Sequence, residues 1–151
     1  MKKFESVEEL LDFAIKEEED AAKFYKELAG KMDRPWMKDV FEQFSREEEG
    51  HKAKLQKVKS GQIADLPKDK VLDLKIGDYL VAAEVSGDMD YQQALIVAMK
   101  KEKEAFRMYS DLASVAQTAD LKEVLAGLAQ EEAKHKLRFE VEYDDVILKE
   151  N

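Results

Sequence analysis

The chain contains no cysteine, only two prolines and six glycines, and no hydrophobic run long enough to cross a membrane. The lack of cysteine excludes disulfides, thiol nucleophiles, cysteine-ligated zinc and iron–sulfur clusters within these 151 residues. Because proline and glycine interrupt helices, their scarcity in a chain rich in Ala, Leu, Glu and Lys predicts a mainly helical protein.

Charge and length narrow the classes of function further. The formal net charge of −9 opposes binding to nucleic-acid phosphates and to anionic membranes, which a binder normally meets with a basic patch. Residues 1–5 turn polar at once, so neither a signal peptide nor a membrane span is predicted. We therefore expect a single cytoplasmic domain, 1–151, that contacts neither nucleic acid nor membrane.

The most informative feature that is present is an internal repeat. Glu48-x-x-His51 returns 84 positions later as Glu132-x-x-His135, and these are the only two histidines in the chain. The same shift, without a gap, carries Glu18 onto Glu102, Tyr25 onto Tyr109, Ala14 onto Ala98, Leu28 onto Leu112 and Val40 onto Val124. The chain is therefore predicted to be a duplicated helical hairpin.

Apolar residues recur at steps of three and four in four segments, which predicts four long helices. The capping-box pattern places helix starts at Ser6 and Asp90, and Asp33 and Pro35 mark the start of the second helix. We assign the hairpins to 6–60 and 90–148, and a long crossover, with a short helix near 78–85, to 61–89. Two hairpins joined in this way are typical of an all-α, ferritin-like four-helix bundle.

Six polar residues interrupt the apolar seams of these helices. They are Glu18, Glu48, His51, Glu102, Glu132 and His135. Burying four ionised carboxylates without compensation would cost on the order of the whole stability of a domain. Two divalent cations would neutralise them, and Glu from two helices with Glu-x-x-His from the other two is the di-iron or di-manganese carboxylate pattern. Oxygen-rich ligation with one imidazole per metal suits iron or manganese better than structural zinc.

At these residues the chain resembles the rubrerythrin family of the ferritin-like superfamily, over nearly its whole length. Segments 14–25 (AIKEEEDAAKFY) and 45–51 (SREEEGH) are similar to the family's first-hairpin signatures, and 98–109 and 130–135 repeat them. The resemblance implies two irons, with manganese or a mixed Fe/Mn pair as the alternative. It implies terminal ligands at Glu18 and Glu102, bridging ligands at Glu48 and Glu132, and one imidazole per metal from His51 and His135.

Four further residues near the ligands are candidates for a supporting role. Tyr25 and Tyr109 resemble the family's tyrosines near the metals, so hydrogen bonding or electron transfer is the alternative to core packing. Glu47 and Glu131 are repeated, so a role behind the ligands is the alternative to an exposed helix face.

The chain departs from rubrerythrins proper in two ways. Ala105 occupies the position of an additional glutamate that takes part in peroxide turnover in those proteins, which makes this site more symmetric. The four cysteines of a rubredoxin-type iron site are absent, so electrons are expected from a separate redox protein or reductase.

The resemblance implies a non-haem diiron oxidoreductase that reduces hydrogen peroxide or reacts with dioxygen in oxidative-stress defence. One alternative is a ferroxidase or iron-handling protein, for which storage would require a large hollow oligomer. The other is a metal-stabilised helical scaffold without turnover. The resemblance also favours a homodimer, in which the long crossover would allow hairpins to be exchanged between chains.

Overall fold

The computed structural model describes residues 6–61 and 89–148, and nearly all of these lie in four long helices. They are α1 (Val7–Lys31), α2 (Pro35–Lys59), α3 (Tyr91–Val115) and α4 (Ala119–Glu142), followed by a π-helical segment, Tyr143–Leu148. The two described ranges contain no strand. The predicted four-helix, ferritin-like bundle is confirmed, and no helix in these ranges is long and apolar enough to cross a bilayer.

The two predicted capping residues begin α1 and α3. The Ser6 hydroxyl accepts a hydrogen bond from the Glu9 amide at 3.1 Å. At α3 the capping box is complete, because the Asp90 carboxylate accepts from the Gln93 amide at 2.8 Å and the Gln93 side chain accepts from the Asp90 amide at 3.0 Å. Each cap pairs a backbone N–H at a helix start that has no partner within the helix.

The other two helices begin differently. Pro35 is the first residue of α2, as predicted, because its missing N–H costs nothing at that position. Asp33 lies one residue too early to cap this helix, and the N-cap is Arg34, which makes no side-chain cap bond. Thr118, which the sequence analysis did not single out, caps α4 by accepting from the Leu121 amide at 3.2 Å.

The helices form two antiparallel hairpins, α1 with α2 and α3 with α4. The start of α2, at Phe41, packs in the same core cluster as the start of α3, at Tyr91. The end of α2, at Val58, packs in the other cluster with the end of α3, at Leu112. Helices α2 and α3 are therefore parallel, and the end of α2 and the start of α3 lie at opposite ends of the bundle. Except for its end residues, 61 and 89, the predicted crossover lies outside the described residues, as does its predicted short helix near 78–85.

The core has two chemically different halves. We name one the aliphatic half; its largest members are Leu10, Leu11, Leu55, Leu112, Leu121, Leu125, Leu128 and Tyr109. We name the other the aromatic half; its largest members are Phe24, Tyr25, Phe41, Phe44, Tyr91 and Phe139. The layer between them contains the polar residues that interrupt the seams.

Candidate metal centre

All six polar residues of the seams meet at mid-height in the bundle. Helix α1 supplies Glu18, α2 supplies Glu48 and His51, α3 supplies Glu102, and α4 supplies Glu132 and His135. The i, i+3 spacing places both side chains of each Glu-x-x-His on one helix face. Five of the six are almost completely buried, whereas the His51 side chain is 12% exposed. The structure thus brings together every residue predicted as a ligand; their binding of metal stays a prediction.

The six residues form two overlapping groups of four. One group is Glu18, Glu48, His51 and Glu132, and the other is Glu48, Glu102, Glu132 and His135. In each group, one ligand atom per residue lies within 4.8 Å of the corresponding atom of every other member. Glu48 and Glu132 belong to both groups, which is the placement that bridging ligands require.

Each imidazole faces a shared carboxylate from the opposite hairpin. The Nδ1 atom of His51 lies 2.8 Å from Oε1 of Glu132, and Nδ1 of His135 lies 3.0 Å from Oε1 of Glu48. Both histidines therefore direct the same ring nitrogen toward the centre. The same contact therefore occurs in both halves of the centre, as the sequence repeat predicts.

The two tyrosines contact the glutamates of the opposite hairpin. The Tyr25 hydroxyl donates to Oε1 of Glu102 at 2.5 Å, and the Tyr109 hydroxyl donates to Oε1 of Glu18 at 2.6 Å. In both glutamates the other oxygen, Oε2, has no hydrogen-bond partner among the described residues. Each tyrosine thus orients one carboxylate and leaves its second oxygen available to the centre.

The pKa values of the carboxyl groups are shifted because these groups are buried and lie close to one another. Burial raises the pKa of Glu48 well above its ordinary value, and the charges of Glu18 and Glu102 add to that effect. Burial likewise raises the pKa of Glu132, helped by Glu102 and Glu48. Burial also acts to raise the pKa of Glu102, but contacts with His135, Glu132 and Tyr25 outweigh it and lower that pKa.

His135 and the tyrosines complete this electrostatic picture. Burial acts to lower the pKa of His135, but the carboxylates of Glu102 and Glu48 raise it to about 10. Burial raises the pKa of Tyr25 and of Tyr109 well above 10.0, so both phenols keep their protons at neutral pH. Without metal, the raised pKa values favour the protonated forms of Glu48, Glu132 and His135, and three protons would offset three of the four carboxylate charges.

The residues present fit a pair of oxygen-preferring metal ions. Eight buried side-chain atoms of the six residues have no well-aligned hydrogen-bond partner within the described ranges, although buried polar atoms are normally paired. They are Oε2 of Glu18, Oε1 of Glu48, Nδ1 of His51, Oε2 of Glu102, both carboxylate oxygens of Glu132, and both ring nitrogens of His135. Carboxylate oxygens with one imidazole per ion suit iron or manganese.

Behind the ligands the two halves differ. Nε2 of His135 lies 3.5 Å from Oε1 of Glu47, and both oxygens of Glu47 accept from Arg138, at 2.9 and 3.1 Å. Glu131, the repeat equivalent of Glu47, instead pairs with Lys134 at 3.5 Å. Glu47 was predicted as a candidate from the repeat, whereas Arg138 was not, because a contact between two hairpins leaves no signal in the spacing of either.

A cavity of about 160 Å³ leads to the centre between α1 and α3. The four buried glutamates lie at its base, and its walls include Ala21, Ala105 and Met108. The half-buried side chains that line it further out are Glu17, Asp20, Lys101 and Glu104. Ala21 and Ala105 are equivalent in the repeat, and their small side chains leave this space open.

Comparisons with known proteins agree with this arrangement. The sequence profile of the family described as Rubrerythrin matches residues 9–143. A solved structure, described as a hypothetical protein from Pyrococcus furiosus, is similar in fold, with a TM-score of 0.69 and 31% sequence identity. The alignment covers 92% of this chain and 89% of that chain. No curated protein matches the sequence significantly.

Proposed function

The chain belongs to the rubrerythrin family, and from that premise we propose that it is a non-haem diiron oxidoreductase that reduces hydrogen peroxide or dioxygen with electrons from an external donor. The family and the buried cluster of four glutamates and two histidines support a diiron centre of the ferritin-like type. The proposal goes further and assigns turnover to that centre.

The six ligands would hold two ions at neutral overall charge. Four carboxylates supply four negative charges and two divalent ions supply four positive ones, so each bound ion replaces protons held by Glu48, Glu132 and His135. When bound, a pair of irons would supply the electrons that reduce an oxidant. Apolar layers above and below the cluster exclude water from both ends of the bundle, and the cavity between α1 and α3 is an approach to the four carboxylates.

The tyrosines prepare the terminal glutamates for this chemistry. Tyr25 and Tyr109 each hold one oxygen of a terminal carboxylate, so the free oxygen is oriented before metal arrives. The same phenols place a proton beside each half of the centre, at Oη of Tyr25 and of Tyr109. Preorganised polar groups of this kind are more effective than mobile ones because they need not reorganise during reaction.

The observation that carries the proposal is the cavity that reaches the centre. A structural metal site is closed, whereas a reactive one keeps an open approach. Here a space of about 160 Å³ reaches the carboxylates of Glu18, Glu48, Glu102 and Glu132. Its size suits an oxidant of a few atoms, such as hydrogen peroxide or dioxygen.

The test is single-turnover peroxide consumption by the iron-loaded protein, prepared without oxygen and followed by its visible absorption. We expect rapid loss of peroxide in the wild type and collapse of that rate in Glu48→Ala and His135→Ala. Glu131→Gln, which alters a partly exposed carboxylate beside the ligands, is the matched control and should react normally. Equal rates in the wild type and in both ligand variants would return the protein to the scaffold alternative.

A second candidate, oxidation of Fe(II) for iron handling, is favoured by the acidic lining of the same cavity. The outer part of the cavity contains three acidic side chains and one basic one, so a cation would be attracted into it. They are Glu17, Asp20 and Glu104, with Lys101. Iron storage additionally needs a hollow assembly. A small oligomer in size-exclusion chromatography would therefore contradict storage without affecting the peroxidase proposal.

A further inference from the structure

The tyrosine beside one half of the centre is connected to the protein surface by aromatic rings. Tyr25 stacks on Phe41, with ring centres 6.3 Å apart and planes 11° apart. Phe41 meets Tyr91 edge-on at 5.8 Å, and Tyr91 meets Trp36 edge-on at 5.3 Å. No step between ring centres exceeds 6.3 Å, and Trp36, the only tryptophan in the chain, is 43% exposed.

The repeat shows that this aromatic series is confined to one half. Tyr109 is the equivalent of Tyr25 and makes the same hydrogen bond, to Glu18. The positions equivalent to Phe41, Tyr91 and Trp36 are Leu125, Val7 and Asp120. The core around Tyr109 thus packs without aromatic rings at these three positions, so packing alone does not account for the series around Tyr25.

Both tyrosines of the series have a proton acceptor in place. The Tyr25 hydroxyl donates to Glu102, and the Tyr91 hydroxyl donates to Oε1 of Glu142 at 2.8 Å. A phenol loses an electron far more readily when its proton can pass to a base at the same moment. The carboxylates of Glu102 and Glu142 are such bases.

We propose that Tyr25, Phe41, Tyr91 and Trp36 form a relay that carries single electrons from the protein surface to the metal centre. The proposal rests on the proposed function, because it assigns a route to the external electron donor which that function requires. It also assigns different roles to two tyrosines that occupy equivalent places in the repeat.

The relay is balanced in electrons and protons. Reduction of hydrogen peroxide to two waters consumes two electrons and takes two protons from solvent, so a centre that retains one reducing equivalent is one electron short. Tyr25 gives that electron to the centre and its phenolic proton to Glu102. Tyr91 then gives an electron across Phe41 to Tyr25, which recovers its proton from Glu102, while the Tyr91 proton passes to Glu142.

The surface end of the relay restores the starting state. Trp36 reduces Tyr91, which takes its proton back from Glu142. A one-electron donor in solution, such as a reduced redox protein, then reduces oxidised Trp36. The net result is one electron moved inward, with every proton back on its original atom.

The test that does not depend on turnover uses the full-length chain loaded with zinc, which has no redox chemistry of its own. A photogenerated one-electron oxidant in solution oxidises Trp36, and transient absorption follows the radical. We expect the tryptophan radical to give way to a tyrosyl radical in the wild type and in Tyr109→Phe. In Tyr91→Phe the tryptophan radical should persist and the tyrosyl signal should be lost. Equal lifetimes in the wild type and in Tyr91→Phe would overturn the relay.

A second measurement examines the inner end in the iron-loaded protein. Peroxide added without reductant to iron-loaded protein that has first lost one electron should leave oxidised Trp36, detected by peptide mass spectrometry, in the wild type and in Phe13→Leu, which alters an aromatic residue on the aliphatic half, but not in Tyr25→Phe. Zinc-loaded protein gives the background from direct oxidation. The same yield in Tyr25→Phe as in the wild type would overturn the relay. Failure of the iron-loaded protein to consume peroxide would overturn the proposed function, and the zinc measurement would still decide the relay.

Discussion

The imidazole rings of His51 and His135 lie almost parallel, with ring planes 10° apart and ring centres separated by 5.5 Å. The Nδ1 atom of each ring faces a glutamate of the opposite hairpin, Glu132 for His51 and Glu48 for His135. Each half of the centre is therefore built from both hairpins, and the consequences for metal binding differ between shared and unshared ligands.

Removing a shared ligand should affect both metals, whereas removing an unshared one should affect one. Glu48→Ala deletes a carboxylate that belongs to both groups, so we expect neither ion to bind at concentrations that saturate the wild type. Glu18→Ala leaves the other group intact, so one ion should remain bound. That group is Glu48, Glu102, Glu132 and His135. Anaerobic titration with Fe(II) or Mn(II) measures both stoichiometries. Equal losses in the two variants would contradict the overlapping arrangement.

The metal-free protein should lose stability as pH rises. In the folded chain the pKa values of Glu48 and Glu132 are raised and that of His135 is raised to about 10, so the folded state holds more protons than the unfolded one. The unfolding free energy then falls as pH rises, by at most about 1.4 kcal/mol per pH unit for each group. For the two glutamates the fall begins above the pKa of a carboxyl group in the unfolded chain, and for His135 it begins above the pKa of an unfolded histidine.

Metal should reverse the sign of this pH dependence. Ions bind the deprotonated carboxylates and neutral imidazoles, so metal adds more stability at high pH than at low pH. Denaturant unfolding between about pH 5 and about pH 8, with chelator and with saturating Mn(II), compares the two forms. A metal-free protein that became more stable across this range would show that the buried carboxyls are not protonated as described.

Glu47 should matter to metal binding and Glu131 should not. Glu47 lies beside Nε2 of His135 and is held by Arg138, so it can fix the orientation of that imidazole. Loss of such a partner typically lowers metal affinity about 10- to 100-fold. We expect that loss in Glu47→Gln for one of the two ions, and wild-type affinities in Glu131→Gln. Isothermal titration of both variants is the measurement, and matching affinities would remove Glu47 from the site.

Filling the cavity should slow the reaction with the oxidant without changing how the ligands bind metal. Ala105→Leu adds bulk to the wall between α1 and α3, and we expect peroxide consumption to fall about tenfold or more, equal to about 1.4 kcal/mol of added barrier. Metal stoichiometry should stay as in the wild type. In the wild type, a bulky organic hydroperoxide should react more slowly than hydrogen peroxide. Unchanged rates in Ala105→Leu would place the approach elsewhere.

Much of the fold and of the centre was predictable because both depend on local patterns. Seam spacing and caps such as Ser6 and Asp90 act within one helix, so a single sequence predicts helix starts well. The repeat then indicated which polar residues share a layer. Two-fold symmetry and charge neutrality together led from that layer to the prediction of a metal centre.

What the sequence did not predict involves contacts between hairpins. Tyr25 lies two turns from Glu18 on α1, yet its hydroxyl donates to Glu102 on α3, a contact that the spacing along α1 does not indicate. Arg138 was not singled out for the same reason. Trp36 on one hairpin packs edge-on against Tyr91 on the other and is still 43% exposed, and no spacing within either hairpin indicates this contact.

The joining of both hairpins in one chain has an evolutionary consequence. In a homodimer of single hairpins, every substitution would change both sides of the metal pair at once. Here equivalent positions change independently, so Phe44 beside His135 faces one side while Leu128 occupies the corresponding place on the other. A single chain thus allows the packing on one side of a two-fold centre to change while the other side stays as it is.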